Sequence, residues 1–150
     1  ETECRVPGDA MEWAAILHCT KEPCHRLLAG GYLGRSLPPT HPDYLSVRQE
    51  NHLALNIIDP PAPLFKREVF VRALDFLDEY LGKGDVLLHC NQGLSRAPSI
   101  ALVYLAKRLG VLTDTSYAEA ARVFTAERMR TYEPGVGIRI FLEMTWPEIT

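Results

Sequence analysis

The sequence predicts an α/β domain with a central, mostly parallel sheet flanked by helices. Three observations carry this. Two short apolar runs, HLALNI just ahead of Ile58 and DVLLH at 85–89, read as buried strands. Each is followed by a stretch with helical spacing of apolar residues. Strand and helix therefore alternate, the order that places parallel strands side by side.

The elements follow in chain order. HLALNI runs into IDPPAP (58–63), where three prolines forbid both helix and ladder and leave a stiff loop. In LFKREVFVRALDFLDEYLG, Phe70, Ala73, Leu74, Leu77 and Leu81 form one helical stripe, closed by Gly82. DVLLH comes after a Gly-Lys-Gly turn. In APSIALVYLAKRLG, Pro98 suits a first turn, Lys107 and Arg108 a last turn, and Gly110 a stop. This stretch is apolar on nearly every side from Ile100 to Ala106, which predicts the central buried helix. Ser116 and Glu119 form a capping box for a helix reaching about Arg130. EPGVG then breaks the chain, and IRIFLEMTW makes a final helix packed by Ile138, Phe141 and Leu142.

One hundred and fifty residues form one domain (1–150) with a real core, and no linker or repeat divides them. With 47% hydrophobic and 23% charged residues the composition is that of a globular protein. A net charge of −3 argues against a nucleic-acid binder with a broad basic face, although one phosphate needs only a few groups. No signal peptide opens the chain, and no apolar run is long enough to span a bilayer. A reactive thiol survives best in a reducing setting, so a cytoplasmic location without membrane association is expected. A monomer is expected.

The chemistry concentrates in HCNQGLSRAPS (89–99). A cysteine between a parallel strand and a helix N-terminus lies in an electropositive place, where thiolates and phosphates are both stabilised. A loop of Asn91, Gln92, Gly93, Leu94 and Ser95 can curl so that its N–H groups point inward. Arg96, where loop meets helix, can grip two phosphoryl oxygens with its planar fork. Attack on a phosphate monoester also needs an acid for the leaving oxygen. Asp59, 31 positions before Cys90, follows HLALNI. If the two predicted strands are parallel neighbours, it reaches the same sheet edge. Asp43 and Asp114 are rivals with worse placement.

Together, the strand, the His-Cys-x5-Arg loop and the buried helix resemble the protein tyrosine phosphatase superfamily, specifically its compact dual-specificity branch. The likeness covers roughly residues 27–146. Asp59 in NIIDPP matches that branch's general-acid loop, GGYLG (30–34) its early strand, and YEPGVGIRIFLEMTW (132–146) its C-terminal Pro-x-x-Gly helix. HCTKEPCHR (18–26) and HCNQGLSRAPS together suit a bacterial or phage subgroup better than an animal enzyme. The resemblance implies a cysteine-dependent phosphatase fold and no metal or organic cofactor. It makes Cys90 the nucleophile that forms a cysteinyl-phosphate, Arg96 the phosphate ligand, and Asp59 the acid and then the base. Asn91, Gln92, Gly93, Leu94 and Ser95 would supply N–H groups, with His89 and Ser99 behind the loop. Ala97 departs from the family, whose serine or threonine there helps the thiolate leave, so slow breakdown of the intermediate is expected.

HCTKEPCHR admits several readings. Lys21, His25 and Arg26 form a basic loop that contacts substrate, or the segment is a solvated turn. A zinc cluster of His18, Cys19, Cys24 and His25, or a Cys19–Cys24 disulfide, is the minor alternative. Two rival functions stand beside the phosphatase. A non-enzymatic phosphate-binding module would not need Cys90. A sulfur- or arsenate-type redox enzyme needs a second cysteine near it. Within phosphatases, NQGLS carries no Lys or Arg, which favours phosphotyrosine-like protein substrates over phosphoinositides and RNA ends. A small-molecule or nucleotide phosphate is the runner-up.

Overall fold

The computed structural model describes residues 13–150. Four strands form one sheet in the order β2-β3-β1-β4. Strand β1 (Ala15–His18) lies between β3 (His52–Leu55) and β4 (Val86–His89) and runs parallel to both. Strand β2 (Ser46–Gln49) pairs antiparallel with β3 at the edge. The sheet is thus mixed and mostly parallel. The strands predicted from sequence include β3 and β4 but not β1, the strand between them, although residues 13–17, WAAIL, are an apolar run. Its four residues, AILH, run directly into the polar HCTKEPCHR segment. Because β1 intervenes, β3 and β4 are not neighbours as supposed. They still end at one edge, since both run parallel to β1.

Strand alternation sorts the side chains onto two faces. Ala15, Leu17, Cys19, Leu53 and Leu55 join the main core, with Val86, Leu88 and Cys90 packed against it. Helices α2 (Arg67–Tyr80), α3 (Arg96–Lys107), α4 (Tyr117–Glu127) and α5 (Val136–Thr145) complete that core. Eight of the twelve residues of α3 are buried, which makes it the central helix its all-round apolar sequence predicts. A shorter helical segment, Lys21–His25 continuing as α1 (Arg26–Leu28), supplies the apolar cover of the other face. There Cys24 packs with Val47 and Ala54, against Leu28 and Ala29.

Helix ends follow local chemistry. Ser116 Oγ accepts from the Glu119 N–H at 3.2 Å, but the Glu119 carboxylate turns to Arg122, so half of the capping box forms. This helix stops at Glu127, short of Arg130. Tyr32–Gly34 is not the early strand that GGYLG suggested. Gly30, Gly31 and Gly34 take φ of +88°, +71° and +80°, and Arg26 Nη1 donates to the carbonyls of Tyr32 and Gly34. A left-handed backbone held on one guanidinium curls into a loop.

Candidate active site

Cys90 directly follows β4 and Arg96 opens α3, so the five residues between them form the connection from strand to helix. Gly93 has φ +72°, which lets this loop double back. Asp59, Cys90, Asn91, Gln92, Ser95 and Arg96 line one cavity of about 220 Å³. The acid and the thiol, 31 positions apart, thus face one space because the two strands that carry them share an edge.

Arg96 joins the two loops. Its Nη1 donates to the Ile57 carbonyl at 3.1 Å and its Nη2 to Asn91 Oδ1 at 3.0 Å. Its Nε is buried and has no hydrogen-bond partner among the described residues. An unpaired buried N–H is costly unless a ligand oxygen meets it. Thr20, two residues past β1, donates to the same Asn91 oxygen at 2.7 Å, so the Asn91 side chain is a bracket for the arginine. The proline loop is pinned at its other end by Phe65, whose ring packs on Phe70 and Phe141 with centroids 6.3 and 5.6 Å away.

Behind the cavity, histidines cross the sheet in a chain. His89 Nε2 meets His18 Nδ1 at 2.7 Å, and His18 Nε2 meets His52 Nδ1 at 2.9 Å. Burial, with His89 and then His52 adding to it, lowers the pKa of His18 to about 3, and burial also lowers that of His89. On the opposite face, Cys19 directly follows β1 beside Cys90, its N–H donating to the His89 carbonyl at 2.8 Å. Burial, then the nearby Cys90, pushes the Cys19 thiol up, while Arg96 opposes them. Cys19 is a buried thiol, and Cys90 is the more accessible of the two.

Other expected residues go elsewhere. His25 is fully buried, with Nδ1 3.1 Å from the Tyr32 hydroxyl and Nε2 2.7 Å from the Asp43 carbonyl, so it is no substrate contact. Arg26 pairs with Glu22 and stacks 4.4 Å over the Tyr32 ring. Lys21 donates to the Arg35 carbonyl. The basic loop of the sequence is a fastening of the 21–35 segment, and much of it is buried rather than a solvated turn. Ser99 is buried, its Oγ 2.8 Å from the Tyr132 hydroxyl, which lies 2.8 Å from that of Tyr117. Asp114 pairs with Lys107, and neither it nor Asp43 lines the cavity.

The four residues of the zinc reading do not converge. Among the described residues, His18, Cys24 and His89 bring ligand atoms within 4.8 Å of one another. Cys24 is disulfide-bonded and Cys19 is free, so they are not paired with each other. A disulfide sulfur is not the thiolate that binds zinc. Thr20 and Gly135 are members of the site that the sequence did not mark. Gly135 ends the segment 133–135, whose N–H groups reach back to the loop between β4 and α3: Glu133 to the Leu94 carbonyl and Gly135 to Ser95 Oγ, both at 2.9 Å.

No protein-family model matches the chain. Solved structures do. The phosphatase domain of Yvh1 from Chaetomium thermophilum superposes with a TM-score of 0.60 at 21% identity, over 91% of this chain and 79% of that one. Human DUSP28 gives 0.58 at 17% identity, over 91% and 76%. The fold is that of the dual-specificity phosphatases. The human tyrosine phosphatase-like serine/threonine/tyrosine-interacting protein has the same phosphatase fold, with a TM-score of 0.58 at 20% identity over 89% of this chain and 77% of that one. Within this phosphatase fold, function must be argued from the residues of the cavity.

Proposed function

We propose that the chain is a cysteine-dependent phosphatase that hydrolyses phosphate monoesters through a cysteinyl-phosphate. The observation that carries this is the lining of one cavity by Cys90, Arg96 and Asp59. Cys90 Sγ attacks phosphorus as the ester P–O bond breaks, and the Asp59 carboxyl gives its proton to the departing oxygen. The Asp59 carboxylate then takes a proton from water as that water attacks phosphorus. The S–P bond breaks, and inorganic phosphate and the Cys90 thiolate are released. The unpaired Arg96 Nε supports a role for this side chain on the phosphoryl oxygens, with N–H groups of Asn91, Gln92, Gly93, Leu94 and Ser95 completing the cradle. His89 acts from behind, through the histidine chain.

The size of the cavity favours a protein substrate. Sites that enclose a small molecule run to roughly 300–1,000 Å³ and cover most of the ligand. About 220 Å³ suits a phosphoryl group and leaves the rest of the substrate outside. Ile58 and Val136, each 52% exposed, are apolar neighbours of Asp59 and of Gly135, which approaches it. An aromatic phosphate ester on a protein surface, phosphotyrosine first, fits that rim. Hydrolysis of p-nitrophenyl phosphate by the wild type, abolished in Cys90→Ser, is the expected result. Full activity in Cys90→Ser would overturn the proposal.

One observation keeps a second reading in view. Cys19 directly follows β1 beside Cys90, where a redox enzyme would hold its second thiol. Its burial and raised pKa make it a poor attacking group. Thiol-dependent reduction of arsenate without phosphate ester hydrolysis would favour that reading.

A further inference from the structure

We propose that Gly135 is a positioning residue for the general acid: its bare Cα face leaves the space in which the Asp59 carboxyl stands over the thiol. The inference rests on the phosphatase reading and adds a residue to it. A Cβ on Gly135 would lie 2.3 Å from Asp59 Oδ1, 2.9 Å from Cγ and 3.1 Å from Oδ2. No real Cβ contact is that short, so the carboxyl would have to move.

Backbone conformation does not explain this glycine. Gly135 has φ −58° and ψ 154°, which any residue adopts, and it is the residue before the first turn of α5. Clearance is what it supplies, and the clearance is toward a reacting group. The same short turn is tied to the nucleophile's loop by the Glu133 N–H on the Leu94 carbonyl and the Gly135 N–H on Ser95 Oγ. Two residues further, Gly137 faces the acid's loop, where a Cβ would lie 2.2 Å from the Pro60 carbonyl oxygen and 2.3 Å from that of Ala62. Residues 133–137 therefore seat the acid loop on one side and hold the phosphate loop on the other. The distance between acid and thiol is set through this segment.

A displaced acid has a signature that a loosened fold lacks. A poor leaving group needs the proton more than a good one does. The test compares phenyl phosphate, a poor leaving group, with p-nitrophenyl phosphate, a good one, in the wild type, Gly135→Ala, Asp59→Asn and the double variant. Gly135→Ala is expected to lower kcat/KM for phenyl phosphate about tenfold or more, and for p-nitrophenyl phosphate less than about threefold. In the Asp59→Asn background the same change should cost almost nothing, because the side chain it displaces no longer has a proton to give. Ser95→Ala, which removes the acceptor of the Gly135 N–H without adding bulk, should show the same bias and answers the question should Gly135→Ala fail to fold. Equal losses on both esters, or a full loss repeated in the double variant, would overturn the positioning role while leaving the phosphatase intact. A wild type that hydrolyses neither ester would overturn both.

Discussion

Ala97 is buried as the second residue of α3, directly after the arginine. In the family this chain resembles, a hydroxyl at that position helps the thiolate leave in the second chemical step. Of the two nearby serines, Ser99 is turned to the Tyr132 hydroxyl, and Ser95 Oγ accepts from the Gly135 N–H. Breakdown of the cysteinyl-phosphate should therefore limit turnover. Rapid-mixing measurements with p-nitrophenyl phosphate should show a burst of nitrophenol before a slower steady state. Ala97→Ser should raise the steady rate and leave the burst rate nearly unchanged. A steady rate unchanged by the substitution would show that the missing hydroxyl does not matter here. The shared placement of Cys90 and Arg96 was legible from their spacing, because one strand-loop-helix unit carries both. Gly135 was not, because its meaning lies in a contact with Asp59, 76 positions away.

At the scale of elements, the sheet carries a charge-sensitive device. His89, His18 and His52 bond side chain to side chain across β4, β1 and β3. Folded His18 has its pKa lowered to about 3 and takes up no proton in the range where the unfolded side chain, at about 6.5, already has one. Stability from this group is complete above about pH 6.5 and is lost as pH falls toward about 3, by up to roughly 1.4 kcal/mol per pH unit. His89 and His25, also lowered, add to the loss with the same sign. The urea midpoint should fall clearly between about pH 7 and about pH 5. In His18→Gln the fall should be shallower. A pH-independent midpoint in the wild type would contradict the arrangement. The sequence showed the long elements, α2 to α5, because their apolar stripes are local. It left β1 and β2 unmarked: the apolar run of β1 leads straight into polar residues, and β2 is an edge strand with Arg48 and Gln49 exposed. Nor did it separate HCTKEPCHR from a solvated turn: only the assembled sheet has a second face for Cys24 and His25 to cover.

At the scale of the molecule, the fold is a platform that ends several elements at one place. Parallel β3, β1 and β4 deliver Ile57, Thr20 and Cys90 to a common edge, and α3 and α5 bring Arg96 and Gly135 to it. Packing of Phe65, Phe70 and Phe141 ties the loop that carries Asp59 to α2 and α5. No helix among the described residues is long and apolar enough to cross a membrane. The central claim is that Cys90 carries the phosphoryl group between two chemical steps. Acid quenching during turnover of a phosphotyrosine peptide, followed by mass spectrometry of the Cys90 peptide, tests it most directly. One phosphoryl group on Cys90 is the predicted result, with none in Cys90→Ser. Steady hydrolysis with no phosphoryl group on Cys90 at any quench time would contradict it.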